Sequence, residues 1–440
     1  MQVTFKNTGM IEEAGIDIDG LTVIAGENDT GKSTVGKLLF SIIKTFNRYE
    51  RDARFYQVLN IKRLLDNYYF DSRKKSNDPS VLEFGNAFFQ QLKTVALSLV
   101  DENKPKEEIE SIVSEKMKSF TDALLGLSGF NVNFEEITGH IVDIILKKPA
   151  QENVFQLTFL KYANALLSGD IANKFSGGGN YLITGKEGNI PIFTVSGAPS
   201  SVDIDLHDRL YFEDATFFES PALLNLADTI RFSKTEFDKT GDTKQEAELL
   251  EKAYVPEYIR DLILKLTDQK TKGKQSEITK KINGIIGGEF YYDPDLRDFV
   301  FEKQGQKFIG VSITPGVKLL GAVGILYLSG FIKSNSLLVI DEPETHLHPQ
   351  WQVRFADIIV QLVKEGNSIL LTSHSPYLIE AIKLYSDFEP VNKKTNFYFS
   401  EVKESQFISH ISNVTDDISP IFEVLAAPYE KLEMLQLKDV

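Results

Sequence analysis

The sequence predicts an α/β fold: a sheet with parallel strands and helices packed on it, carrying a largely helical insertion. Three observations predict it. First, the apolar run "LTVIAG" passes through a glycine-bearing turn into a segment where Val35, Leu38, Leu39, Ile42, Ile43 and Phe46 recur at helical spacing. Second, the last third alternates a helix at 317–332, the strand "SLLVI", a helix near "PQWQVRFADIIVQLV", the strand "SILLTS" and the helix "PYLIEAIKLY". Third, residues 50–165 read as mostly helical, with Ile109, Ile112, Val113, Met117, Phe120 and Leu124 on one face of a helix.

In chain order, "VTFK" and "GIDID" read as strands ahead of "LTVIAG". No heptad persists through 50–165, which argues against a long coiled coil. "SGGGN" at 176–180 is a break flanked by strand-like "YLITG" and "IPIFTVS". "RLYFEDATFFESP" reads as another strand, helices return over about 220–283, and "GEFYYDPDLRDFVFEKQGQKFIGVSIT" reads as a β-meander. The expected organisation is a core in two parts, 1–49 and 311–440, a helical insertion at 50–165, and linking strands and helices over 166–310. There are no internal repeats.

The chain has 440 residues, 42% hydrophobic and 25% charged, which is ordinary for a globular protein. A formal net charge of -15 argues against a DNA-coating protein, whose footprint would be basic. A run of Lys270, Lys272, Lys274, Lys280 and Lys281 leaves DNA open as a partner, although a solvated face accounts for it as well. Cysteine is absent, so disulfides and thiolate metal sites are excluded. The N-terminus lacks the pattern of a signal peptide, and the apolar span 319–332 is short for a membrane crossing. A cytoplasmic protein with no membrane partner is expected.

"GENDTGKS" at 26–33 fits the pattern G-x-x-x-x-G-K-[ST] between a strand and a helix, the setting that a phosphate-binding loop requires. Gly26 and Gly31 let the backbone curl, so that N–H groups over Asn28, Asp29, Thr30 and Gly31 and the helix start at Lys32, Ser33 and Thr34 face phosphate oxygens. Lys32 would reach the β- and γ-phosphates of ATP, and the Ser33 hydroxyl would ligate Mg2+.

"LLVIDE" then places Asp341 at the C-terminal end of a buried strand, where α/β sheets bind ligands. Asp341 suits the Mg2+ shell and the adjacent Glu342 suits polarising an attacking water. In "SILLTSHSP" a strand end presents His374 one βα unit later, in reach of a γ-phosphate or that water. His346 and His348 follow the acids at i, i+2 spacing. With no cysteine, only carboxylates remain to complete a metal site there, and Pro349 points to a loop-to-helix transition instead. The two histidines are read as shaping a loop or an interface.

The phosphate loop, the late Asp-Glu pair and the strand-end histidine together resemble the ABC-type ATPases of the RecF, structural-maintenance-of-chromosomes and OLD kind. "DEPETHLHPQWQ" and "TSHSPYLIEA" look most like the stand-alone bacterial ATPases of phage-defence operons, the PtuA-type subunits. The resemblance covers about 1–49 and 300–440. It implies a P-loop NTPase of ABC-type architecture, working as a homodimer or higher oligomer with nucleotide sandwiched between protomers. It also implies a signature loop that reaches the partner's nucleotide. The matching stretch is "ITPGVKLLGAV", with Thr314, Gly316 and Lys318 in place and Pro315 where serine is expected. The counterpart of the family's Q-loop falls in "FFESP", with Glu219 or Ser220 as candidates.

The resulting expectation is a Mg-dependent ATPase whose slow hydrolysis serves as a switch. Only about 66 residues follow His374 and no nuclease cluster is visible, so an effector, nuclease or toxin, is expected as a separate chain of the same operon. Two alternatives stand beside it: a DNA-repair or chromosome-type ATPase that clamps DNA, and an ATP-binding regulatory module with little hydrolysis.

Overall fold

The computed structural model describes all residues except 75–78, 102–103, 125–132, 148, 176–178, 199–200, 234–254, 269–270, 404–407 and 428–440. The described residues of Met1–Asn47, Phe159–Asp238 and Leu250–Val440 form one compact unit, and those of Arg48–Thr158 form another.

The first unit is built on a sheet that runs, among the described residues, in the order β6-β5-β4-β1-β2-β14-β13-β3-β12-β11-β7. Its strands are β1 (Gln2–Thr8), β2 (Ile11–Asp17), β3 (Leu21–Gly26), β4 (Tyr181–Glu187), β5 (Ile190–Ala198), β6 (Ser201–Leu206), β7 (Asp214–Phe218), β11 (Ser336–Asp341), β12 (Ser368–Ser373), β13 (Thr395–Lys403) and β14 (Ile408–Asn413). The run β13-β3-β12-β11-β7 is parallel. Strands β3 and β12 are buried at every position, as expected of parallel strands covered on both faces. The run β6-β5-β4-β1-β2 is antiparallel and alternates buried with exposed positions.

Helix α1 (Lys32–Asn47) follows β3 directly and buries Val35, Leu38, Leu39, Ile42, Ile43 and Phe46, the stripe read from the sequence. It packs on β7, β11 and β12. Further along are α7 (Ala227–Arg231), α8 (Glu257–Thr267), α9 (Glu277–Ile286), α10 (Pro315–Leu328), α11 (Pro349–Lys364) and α12 (Pro376–Phe388). A three-stranded antiparallel meander, β8 (Glu289–Asp293), β9 (Asp298–Lys303) and β10 (Gln306–Ile309), packs Phe290, Tyr292 and Phe299 into the same apolar core as α9 and α10.

The second unit is helical: α2 (Tyr49–Lys74), α3 (Pro79–Asp101), α4 (Lys106–Leu124), α5 (Phe134–Leu146) and the start of α6 (Gln151–Leu167). Its core gathers Ile61, Leu65, Phe89, Leu92, Val113 and Ile141. The stripe on α4 contributes Ile109, Val113 and Met117, all buried.

Two sequence expectations are corrected. "RLYFEDATFFESP" is strand only over Asp214–Phe218, because its partner begins opposite Asp214 at Ser336 and gives residues 209–212 no ladder. The meander ends at Ile309 rather than running through "GVSIT", since Gly310 adopts φ +54° and turns the chain into a short 3-10 helix. Strands β6, β13 and β14 were not anticipated. Residues 176–178 of "SGGGN", 234–254 of the expected 220–283 helices and Lys270 lie outside the described residues. Among the described residues, no helix is long and apolar enough to cross a membrane.

Candidate nucleotide-binding site

The sheet register assembles the site. Asp341 at the end of β11 pairs with Thr372 on β12, Thr372 pairs with Ile24 on β3, and Ser400 on β13 pairs with Gly26. Four parallel strands thus end at one level, and the loop Gly26–Ser33 and the side chains of Asp341, Glu342 and His374 emerge there. That edge is where open α/β sheets bind ligands.

The loop is shaped by close approaches. Gly26 has φ +152°, and a Cβ there would lie 2.2 Å from the carbonyl oxygen of Ser400. Gly31 has φ +83°, and Asp29 is also left-handed at +61°. Thr30 Oγ1 donates to the Glu27 carbonyl at 2.9 Å, and Ser400 Oγ donates to the Thr30 carbonyl at 2.7 Å. Asn28 is exposed.

Lys32 is 3% exposed, donates from Nζ to the Glu27 carbonyl at 2.6 Å and stands 3.6 Å from Glu342 Oε1. Burial lowers its pKa, opposed by the charges of Glu342, Glu344 and Asp341. Such a buried cation gains most from an anion that neutralises it, as phosphate does.

Asp341 Oδ1 accepts the Thr372 hydroxyl at 2.5 Å, and the Ser33 side chain also hydrogen-bonds to Asp341. Burial raises the Asp341 pKa, and these two hydrogen bonds oppose the rise. A carboxylate beside a hydroxyl is a hard oxygen pair, which fits Mg2+ once phosphate oxygens and water complete the shell. Glu342 adopts φ +44°, unusual for a side chain with a Cβ, and its backbone N–H donates to Thr372 Oγ1 at 3.1 Å.

His374 Nδ1 lies 3.6 Å from Glu342 Oε1 and 3.3 Å from Glu344 Oε1. Glu344 is a residue the sequence reading passed over. Its side chain is 3% exposed, and its Oε1 accepts the Ser373 hydroxyl at 2.8 Å and the His374 backbone N–H at 2.5 Å. The residue is an acid among acids in "DEPETH", and nothing in the pattern marks it as buried.

A cavity of about 420 Å³ opens beside the loop, lined by Asp29 to Thr34 and Glu342 on one side and by Gly9, Met10, Asp170, Lys174 and Phe175 on the other. The second wall was also not anticipated. It is pinned by Gly9 N–H to the Ile171 carbonyl at 2.8 Å and Asn173 N–H to the Asn7 carbonyl at 3.0 Å, joining segments far apart in the chain.

Thr314 and Gly316 are not part of this cavity. They open α10, with Thr314 and Pro315 exposed and no capping bond from the Thr314 side chain. A Cβ on Gly316 would meet the His346 carbonyl at 3.0 Å and the Trp351 ring at 3.3 Å, so close packing within the chain also requires that glycine. Lys318 is buried and hydrogen-bonds to the Asn225 side chain. In "FFESP", where a Q-loop counterpart is expected, Glu219 accepts from Tyr258 Oη at 2.8 Å and Ser220 caps the next 3-10 turn. His348 accepts the Gln350 N–H at the start of α11, a cap, and burial lowers the His346 pKa. In the lysine run, Lys272, Lys280 and Lys281 pair with Glu302, Glu277 and Asp357, which removes much of its positive field.

Strand order and loop together define an α/β domain with the phosphate-binding loop of P-loop nucleotide-binding proteins. Residues 318–380 match the family described as "AAA domain, putative AbiEii toxin, Type IV TA system". The chain is also similar to the Septu protein PtuA of Bacillus thuringiensis, 40% identical over 45 residues. That match spans 10% of this chain and 11% of the relative. Among solved structures, the SMC head domain from Thermotoga maritima overlays with TM-score 0.38 at 10% identity, covering 94% of this chain and 98% of that one. The SmcHead bound to the C-winged helix domain of ScpA overlays with TM-score 0.41 at 12% identity, covering 94% and 97%. At those scores the architecture rests on the strand order and the loop rather than on the overlays.

Proposed function

We propose that the chain binds Mg·ATP in this site, hydrolyses it slowly and uses the nucleotide state to close and open a dimer that controls a separate effector protein. The observation that carries the reading is the shared register of β3, β11 and β12, which gathers Lys32, Ser33, Asp341, Glu342 and His374 at one sheet edge.

Each residue then has a distinct task. The loop N–H groups and Lys32 hold the β- and γ-phosphates in place of the Glu27 carbonyl and Glu342 that now surround Nζ. Ser33 and Asp341 would hold Mg2+, which when bound draws charge from the phosphate oxygens. Glu342, whose Oε1 stands 3.6 Å from both Lys32 Nζ and His374 Nδ1, accepts the proton of the attacking water. His374 hydrogen-bonds the γ-phosphate or that water.

For dimer closure the support is local. Phe308, Ile309 and Val311 are 43%, 41% and 81% exposed just ahead of Thr314, an apolar surface of the sort that pairs with another chain. The resemblance to phage-defence ATPases supports a separate effector and a defence role. Pro315 favours a second reading, an ATP-binding module with little turnover, because proline removes one N–H from the start of α10.

Calorimetry with wild-type and Lys32→Ala protein, phosphate release with wild-type and Glu342→Gln, and mass with and without ATP test the proposal together. Lys32→Ala should abolish binding; retained micromolar affinity overturns the site. Glu342→Gln should bind Mg·ATP and release no phosphate. Co-expression with the neighbouring gene product should yield a complex. Cleavage of nucleic acid by this chain alone, with no partner co-purifying, overturns the two-component part.

A further inference from the structure

Glu344 has no task in the scheme above, yet it is a buried acid touching the histidine. Its Oε1 collects the Ser373 hydroxyl at 2.8 Å and the His374 N–H at 2.5 Å, and His374 Nδ1 stands 3.3 Å from the same oxygen. Glu344 Oε2 and His374 Nδ1 are both buried without a hydrogen-bond partner. The turn around them is fixed on every side. Ser375 N–H donates to Ser373 Oγ at 3.0 Å, Ser375 Oγ donates to Gln352 Oε1 at 2.5 Å, and Gln352 Nε2 donates to the Leu347 carbonyl at 2.9 Å.

We propose that Glu344 is a positioning residue for His374: it holds the Nδ1 proton, so that the unprotonated Nε2 is offered as an acceptor to the attacking water. This deepens the ATPase reading and rests on it. A small rotation of the ring turns the 3.3 Å contact into a hydrogen bond, and which nitrogen carries the proton is set by the partner of the other. Glu342 Oε1 is the competing acceptor at 3.6 Å. A proton held by Glu344 leaves the Glu342 carboxylate free to take one from water. The ring is 35% exposed while Nδ1 is buried, so its accessible edge carries Nε2. A carboxyl acceptor suits the place because two donors already converge on Oε1, and Nδ1–H would be the third.

The test combines histidine tautomers with a turnover cycle. In protein labelled with 15N in histidine, the His374 signal, identified by its loss in His374→Ala, should show the Nδ1–H form. It should move toward Nε2–H in Glu344→Gln, and an Nε2–H form in the wild-type protein overturns the proposal. Glu344→Gln should lower kcat about tenfold and leave KM for ATP within about twofold, and in the His374→Ala background it should add less than about twofold. Glu344→Asp should recover part of the loss. An equal loss with and without His374 assigns Glu344 a structural role only and overturns the proposal. No phosphate release by the wild-type protein overturns the hydrolytic reading itself, and the tautomers still decide whether Glu344 holds His374.

Discussion

The hydroxyl of Thr372 donates to Asp341 Oδ1 at 2.5 Å and accepts the backbone N–H of Glu342 at 3.1 Å. One fully buried side chain therefore orients the candidate magnesium carboxylate and pins the left-handed residue after it. Thr372→Val keeps the shape and removes both bonds. It should cost about 1–3 kcal/mol of stability through the unpaired groups it leaves. Partners of this kind tune a metal site, so affinity for Mg·ATP should fall about tenfold while affinity for metal-free ATP changes little. Calorimetry with and without Mg2+ checks the difference, and equal losses would remove Thr372 from the metal side.

Glu344 makes a pH prediction of definite sign. Burial raises its pKa, and the hydrogen bonds from His374 and Ser373 only partly offset that. The folded state thus holds this proton more tightly than the unfolded chain does. The associated stability is present below the unfolded carboxylate pKa of about 4.3 and is lost as pH rises through the raised value. Glu344→Gln carries no such loss. Its melting temperature should match the wild type near pH 5 and meet or exceed it at pH 8, while its turnover falls. A variant that is progressively less stable than wild type as pH rises contradicts the assignment.

A closed ring of charges sits beneath the loop helix. Lys44 Nζ lies 2.5 Å from Asp214 and 2.8 Å from Asp261, and Lys265 Nζ lies 2.6 Å from Asp214 and 2.9 Å from Asp261. Burial alone would raise the Asp261 pKa, but Lys44 and Lys265 outweigh it and bring it down to about 2. Asp261→Asn leaves two ammonium groups on one carboxylate. It should destabilise the unit by on the order of 3 kcal/mol, the low end for a broken buried pair, because both acids keep some exposure. Asp261→Asn with Lys265→Met removes one charge of each sign and should recover most of the loss. Urea unfolding midpoints of the three proteins read this out.

The legible parts of the fold were those where neighbours in sequence are neighbours in space. "LTVIAGENDTGKSTVGKLL" reads as β3, loop and α1 because strand, turn and helix are contiguous and each has its own period. "LLVIDE" and "LLTSH" read correctly as strand ends because parallel strands are uniformly apolar up to the ligand edge. The wall at 170–175 was not legible, since it reaches the loop only by pairing with the β1–β2 turn. Strand β13 carries Ser400, which braces the loop, but its place beside β3 depends on pairing across most of the chain. Burial hid Glu344: an acid two residues after an Asp-Glu pair looks like one more solvated charge.

Pro315 offers the sharpest prediction about the proposed dimer. It occupies the first position of α10, exposed, where proline fits the helix well but supplies no N–H. If the Thr314–Gly316 turn faces the partner's nucleotide, as the family resemblance implies, the missing donor weakens a helix N-terminus aimed at phosphate. Pro315→Ser restores the N–H and adds a hydroxyl at a site with room for it. One extra donor to a developing phosphate charge should raise kcat several-fold, short of the roughly hundredfold that removing a well-placed donor costs. The gain should appear only at protein concentrations where ATP produces dimers, and Glu342→Gln should abolish it. Turnover measured against protein concentration separates the cases. An increase that is independent of concentration places the effect within one chain, and no increase at any concentration removes the α10 start from the nucleotide site.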